Sequence, residues 1–388
     1  MTHFIRAIAS PLAITIAAAS LALCCASAVR AADDAVVRVL IGHAGPTSGG
    51  MSRMGLDSEN GARLAIEDLN AQAPRIGGHP VRFELQAEDD GGRVDPAQRA
   101  AYRLVQAHAV AVVGHLQSSA TMMTSPIYHD AGVPQLTPSA MFPGFTTQGF
   151  DTTYRLIADD VRVARLLARH SAERLHARRV AILDDGTRYG LGGGAAFQDE
   201  SVALGATVVR HDSGRATLAD FVAAVRESRP DAVFVAGMDE LAGPLVQRLR
   251  EAGVTVPVLG GDGICTNDLP QLAGGSSMND VFCAESGAAD PAGREATRAF
   301  RARFEARFGT PVQFYAPQAY DATMVVGRAI IAADSVDPAV WRPVLARTRG
   351  FEGASGTVSF DAHGENVDAP AALYAWADGH RVRVATLR

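Results

Sequence analysis

Apolar residues recur along this chain in two alternating rhythms. Residues 36–41 form a short, mostly β-branched run ending at Gly42, the pattern of a buried strand. After the loop Gly45-Pro46-Thr47-Ser48-Gly49-Gly50, Ala62, Ala65, Ile66 and Leu69 fall at helical spacing. Residues 81–85 alternate and predict a strand. Asp95-Pro96 predicts a helix start, with Asp as the cap and Pro in the first turn, and that helix carries Ala100, Leu104 and Val105. Residues 110–114 read as an apolar strand, Ser118-Ser119 as the cap of a helix running to about 131, and residues 133–136 as one more strand. The pattern then restarts with helix 160–175, strand 179–183, helix 191–204, strand 206–210, helix 218–228, strand 232–236, helix 240–252 and strand 256–259. Helices over 294–308, 316–333 and 338–348 follow, and strands over 357–360, 371–376 and 381–386 close the chain.

Strands that alternate with helices predict parallel sheets covered on both faces. Two such sets predict an α/β protein of two doubly wound lobes, and 388 residues suffice for both. Residues 1–31 read differently. Arg6 precedes a core over 12–22 that is apolar apart from Thr15 and Ser20, and Ala26-Ser27-Ala28 and Val29-Arg30-Ala31 offer small-residue cleavage sites. This is the pattern of a cleaved secretory signal, and the core is too short for a membrane span. Cys24 and Cys25 would leave with it. Cys265 and Cys283 would remain in an oxidising compartment, where they are expected to form a disulfide. Two isolated cysteines make a poor zinc set, so no metal site is expected.

The formal charge of −6 argues against nucleic-acid binding, and aromatics at 6% leave little for a stacking platform. All 36 basic residues are Arg, which removes Schiff-base chemistry, lysine general bases and a Walker-type phosphate loop. In open α/β sheets ligands sit beyond the carboxyl ends of the strands. Ser118 falls there, where a strand hands over to a helix start and free N–H groups suit a carboxylate. Ser139, in Thr137-Pro138-Ser139-Ala140-Met141, offers a second hydroxyl, and Asp262, in Gly260-Gly261-Asp262-Gly263, a fixed negative charge suited to an ammonium. Together they are complementary to a zwitterion; alternatively, the serines are helix caps and Asp262 a turn residue.

At these residues the chain resembles the periplasmic leucine/isoleucine/valine-binding proteins of ABC transporters. Five segments match in register over more than two hundred residues: Gly45-Pro46-Thr47-Ser48-Gly49 with the helix at Asn60-Gly61-Ala62; Val113-Gly114-His115-Leu116 with Ser118-Ser119 and Ile127-Tyr128; Thr137-Pro138-Ser139-Ala140; Tyr189-Gly190; and Gly260-Gly261-Asp262-Gly263. The resemblance implies a type I periplasmic binding protein with a hinge. Its first lobe would comprise 33–157 and 287–360, its second 158–286 and 361–388. It further implies that Ser118 binds the ligand carboxylate, that Ser139 and Ala140 offer main-chain contacts, that Tyr189 closes over the ligand, and that Asp262 pairs with the ammonium. Met54 and Met238 would line the side-chain pocket. Met141 departs from the family, standing where a Thr hydroxyl is frequent.

The function so implied is capture of a small neutral, aliphatic L-amino acid and its delivery to an ABC permease by a periplasmic, monomeric protein without cofactor or catalysis. A sensor of the same fold and a binder of another small carboxylate are the alternatives. The sequence Gly190-x-Gly192-x-x-Ala195, with Asp212 beyond, suggests an NAD-dependent oxidoreductase, but Gly190 lies seven residues past Leu183 rather than directly after the strand. Asp89-Asp90 is read as a loop or cap pair, His115 as a structural hydrogen-bonding residue, and Arg294, Arg298 and Arg301 as a solvated helix face.

Overall fold

The β-branched runs pair into two sheets. The structure, a computed structural model, describes residues 36–387 apart from 215–216, 287–293 and 314. The signal over 1–31 and the crossover near 287 therefore lie outside the described residues. The first sheet contains β1 (Val37–Gly45), β2 (Arg75–Ile76), β3 (His79–Asp89), β4 (Ala111–Gly114), β5 (Gln135–Thr137) and β6 (Thr153–Arg155), in the order β2-β3-β1-β4-β5-β6. All of its pairs are parallel except the β2–β3 ribbon, and Ile41 faces Leu85 on one side and Ala111 on the other. Helices α1 (Ser52–Ala71), α2 (Val94–Gln106) and α3 (Ser118–Asp130) connect these strands.

The second sheet takes β7 (Arg179–Asp184), β8 (Thr207–Ser213), β9 (Ala232–Ala236), β10 (Val258–Gly260) and β11 (Val281–Ser286), linked by α4 (Asp160–Glu173), which precedes β7, α5 (Arg188–Ala203), α6 (Leu218–Ser228), α7 (Asp239–Glu251) and the short α8 (Leu269–Leu272). The chain then returns to the first sheet with α9 (Glu295–Phe308), α10 (Ala316–Ala332) and α11 (Pro338–Ala346), and makes a small ribbon of β12 (Phe351–Glu352) and β13 (Thr357–Val358). Last come β14 (Ala371–Ala377) and β15 (His380–Leu387), which complete the second sheet in the order β15-β14-β11-β10-β9-β7-β8.

Burial explains the return of α10. Ala319, Ala322, Val326 and Ile330 share one core with Val39, Ile41, Leu69 and Phe83. The Val, Leu, Ile and Phe side chains among them contribute about 1.5–3 kcal/mol each when fully buried. The approach of α10 to α1 needs Gly61, because a Cβ there would stand 2.1 Å from the Ala316 carbonyl oxygen.

Four local expectations are corrected. The second sheet is mixed: β14 runs antiparallel to β11, and β15 to β14. The strand β11 was not expected. Helix α2 starts at Val94 with Arg93 as its cap, because a turn from Asp90 to Arg93 already begins the spiral, so Asp95 lies inside the first turn. Ser118 is the first residue of α3, and the cap position is held by Gln117, whose carbonyl accepts from the Thr121 hydroxyl at 2.9 Å.

The chain segments between the sheets are bonded to one another. The Asn366 amide donates to the Leu156 carbonyl at 3.0 Å, Arg162 donates to the Asn366 carbonyl at 3.1 Å, and the Ser286 hydroxyl donates to the Ala158 carbonyl at 2.8 Å. Cys265 and Cys283 form a disulfide with a Cα separation of 5.3 Å, tying the loop after β10 to β11.

Candidate ligand-binding cleft

The loop after β10 has two glycines because a phenol occupies the space beside it. A Cβ on Gly261 would meet the Tyr189 hydroxyl at 2.7 Å, and one on Gly263 would meet the Gly237 carbonyl at 2.6 Å and that hydroxyl at 3.2 Å. Tyr189 is placed by the first turn of α5, which Thr187 caps by accepting from the Gly190 N–H at 3.1 Å. Its hydroxyl donates to Asp262 Oδ1 at 3.1 Å and receives the Gly263 N–H at 3.4 Å. Burial and the nearby Asp262 and Asp160 charges push this phenol well above its usual range, so it stays a neutral donor.

Asp262 itself is pushed up by burial, against the opposing hydrogen bonds from Tyr189 and the Gly263 N–H. Asp160, the first residue of α4, is raised to about 7 by burial and then by the charge of Asp262. Two carboxylates that each resist ionisation, beside a phenol held neutral, make a place that favours one positive charge.

That place opens onto a cleft of about 560 Å³ whose walls include Met54, Met141, Ile157, Asp262, Glu285 and Arg301. Met54 comes from α1 and Met141 from the loop after β5, while Asp262 follows β10 and Glu285 lies in β11 of the second sheet, so the cleft lies between the two sheets. Asp160 and Tyr189 line a second opening of about 480 Å³ with Phe142, Pro143 and Leu191. Inside the main cleft Arg381 pairs with Glu285, donates to the Cys265 carbonyl and lies 5.3 Å from the centre of the Tyr374 ring. Arg155, buried, braces the loop that carries Met141. It pairs with Glu365 at 3.0 Å, donates to the Phe142 carbonyl at 2.9 Å, and also donates to the Ala140 carbonyl.

The structure brings Met54, Met141 and Asp262 into one cleft and bonds Tyr189 to Asp262. The other expected site residues lie outside the residues lining these openings. Ser118 is half-buried at the start of α3. The Ser139 hydroxyl is spent on the Leu116 carbonyl at 3.0 Å, and the Ala140 N–H on the Thr137 hydroxyl at 2.9 Å. Met238 caps α7 and is half exposed, its sulfur beside Gly263. Asp160, Glu285, Tyr315 and Arg381 were missed. Only Asp160 carried a usable signal, an Asp159-Asp160 pair opening a helix at an expected crossover. One expectation is corrected: Arg301 lines the cleft rather than a solvated face, because α9 turns that side toward the second sheet. His115 is structural as expected, its ring held between Asp90 at 2.7 Å and the Tyr128 hydroxyl at 3.1 Å with all three side chains buried. Asp89 takes the N–H groups of Thr47 and Gly91, both at 2.9 Å, which is the loop role expected of it.

Among the described residues no helix is long and apolar enough to cross a membrane, and no group of three or more His, Cys, Asp or Glu could hold a metal ion. The periplasmic binding protein family profile matches residues 38–381. An amino acid binding protein of Pseudomonas aeruginosa is 30% identical over 365 residues, covering 92% of this chain and 95% of that one. A leucine-, isoleucine-, valine-, threonine-, and alanine-binding protein of the same organism is 27% identical over 87% of this chain and 90% of its own. Among solved structures, the branched-chain amino acid transporter substrate binding protein LivJ from Streptococcus pneumoniae, in complex with isoleucine, superposes with a TM-score of 0.70 at 26% identity, covering 90% of this chain and 99% of that one.

Proposed function

The chain belongs to the periplasmic binding protein family, and from that premise we propose that it captures a small neutral L-amino acid of the leucine type between its two lobes. The observation that carries the reading is the anionic corner formed by Asp262, its Tyr189 partner and Asp160 at the end of a cleft walled by Met54, Met141 and Ile157. An ammonium supplies the charge that corner lacks. Closure brings the carboxylate to Ser118 at the start of α3, where a helix N-terminus favours an anion; Ser139 and Ala140 join it only by giving up their bonds to Leu116 and Thr137. The side chain lies against Met54 and Met141, with Met238 at the rim. Thioether walls adapt to several aliphatic shapes, in keeping with the leucine-, isoleucine-, valine-, threonine-, and alanine-binding relative of Pseudomonas and the isoleucine complex of the Streptococcus relative.

The lobes in this reading are 33–157 with 287–360, and 158–286 with 361–388. They rotate about the bonded segments at 155–158, 286 and 364–366 and close over the ligand. The protein is exported by the segment 1–31, works in the periplasm as a monomer, delivers its ligand to an ABC permease and catalyses nothing. Small-angle scattering tests the closure. Saturating L-leucine is expected to reduce the radius of gyration of ligand-stripped protein; an unchanged scattering curve under bound ligand would contradict it.

A further inference from the structure

The charges in the cleft do not balance side chain by side chain. Asp262 receives Tyr189, and Glu285 is held by Arg381, which also serves the Cys265 carbonyl. On α9, Arg303 reaches Asp68 and Arg307 reaches Glu67 of α1. Arg301, on the same helix, has no such acid among the described residues. It lines the cleft, and its Nε is shielded from solvent without a hydrogen-bond partner. The side of the helix that carries it is pinned one turn earlier, where the Thr297 hydroxyl donates to the Ala354 carbonyl at 2.8 Å. A guanidinium is always charged and offers a planar fork that fits a carboxylate through two parallel hydrogen bonds.

The size of the cleft points the same way. The cleft of about 560 Å³ lies in the range that holds drug-sized ligands and extends from Asp262 and Met141 to Arg301. The wall at Arg301 is polar, with Thr297 and Gln313 beside it. Closure over a purely aliphatic ligand would enclose Arg301 with no anion paired to it among the described residues.

We infer that Arg301 forms a distal anion subsite, so that the cleft also accepts a longer amino acid whose side chain ends in a carboxylate, with the ammonium at Asp262 and the side-chain carboxylate on Arg301. The inference rests on the amino-acid reading above. Its test is calorimetric titration of ligand-stripped protein with L-glutamate and with L-leucine, using wild type, Arg301→Gln, Arg301→Lys and Asp262→Asn. Expected are saturable glutamate binding by wild type and a fall of about 10–100-fold in the ratio of glutamate to leucine affinity in Arg301→Gln. Arg301→Lys should lose less, because it keeps the charge without the fork. Leucine binding without glutamate binding in wild type would overturn the subsite and needs no variant to fold. So would an unchanged ratio in Arg301→Gln. Either result leaves the amino-acid reading standing if Asp262→Asn still weakens leucine. Binding of neither amino acid by wild type would overturn both.

Discussion

Asp262→Asn is expected to strengthen the empty protein and disable it as a binder. The Asp160 carboxyl is lifted from 3.8 to about 7, first by burial and second by Asp262. Such a displacement corresponds to a penalty of about 4 kcal/mol on ionised Asp160 as an upper limit. Because Asp262 is the lesser of these two causes, its removal should return about 1–2 kcal/mol. Asn keeps an oxygen where Tyr189 now donates, so that hydrogen bond survives. At pH 8 the ligand-free variant should therefore melt above wild type, by about 2–4 °C per kcal/mol for a unit the size of one lobe. Binding moves the other way. Removing one partner of a buried charge pair costs about 2 kcal/mol or more, at least about 30-fold in Kd. Scanning fluorimetry on ligand-stripped protein reads the first effect, and calorimetry with L-leucine reads the second. A variant that melts several degrees below wild type would make Asp262 a structural anchor. Unchanged leucine affinity would remove it from the site.

Asp160 predicts a pH dependence of known sign. Its folded value lies above its unfolded 3.8, so the native chain holds the proton more tightly, and the penalty is absent below pH 4 and complete above about pH 7. Asp160→Asn should accordingly raise the melting temperature at pH 8 and hardly change it at pH 4; a gain independent of pH would contradict this. An ammonium favours the ionised carboxylates, so leucine affinity should rise from pH 5 to pH 8 with proton release, visible as a buffer-dependent heat; affinity that falls over that range would count against it. Breaking the Cys265–Cys283 link, which spans 18 residues, by replacing both cysteines with serine should cost about 3 kcal/mol in chemical unfolding, and no change would mean the link does not form in solution.

What could be read from the residues, and what could not, follows from where the stabilising partners lie. Helix α6 begins and ends where its pattern predicts, since Thr217 caps it and Phe221, Val222 and Val225 share one buried face. Strand β9 is five apolar residues in a row, all buried, and needs no distant information. Strand β11 escaped because it ends in the half-buried Glu285 and Ser286 and owes one edge to β14, almost ninety residues later. The direction of β14 and β15 was legible and was overlooked. Asp378 and Gly379 are a two-residue turn with φ of 51° and 76°, the Asp-Gly hairpin signal. In the cleft, Asp262 and Met141 stand beyond strand ends, where doubly wound sheets place ligands. Arg301, Glu285 and Arg381 arrive from α9, β11 and β15, which only the crossovers bring together, and no local spacing marks them. The serines show the converse. Ser139 sits where a ligand-binding hydroxyl was expected, yet its hydroxyl donates its hydrogen bond to the Leu116 carbonyl.

The central claim is that Asp262 and its neighbours recognise an ammonium, and a pair of ligands differing only in that group tests it most directly. Ligand-stripped protein is titrated calorimetrically with L-leucine and, separately, with 4-methylpentanoate, which keeps the carboxylate and the branched chain but has no amine. Expected is one-to-one binding of leucine and a loss of about 100-fold or more for the desamino acid, the measure of a buried charge pair left without its cation. Equal affinity for the two, or binding of the desamino acid alone, would contradict it.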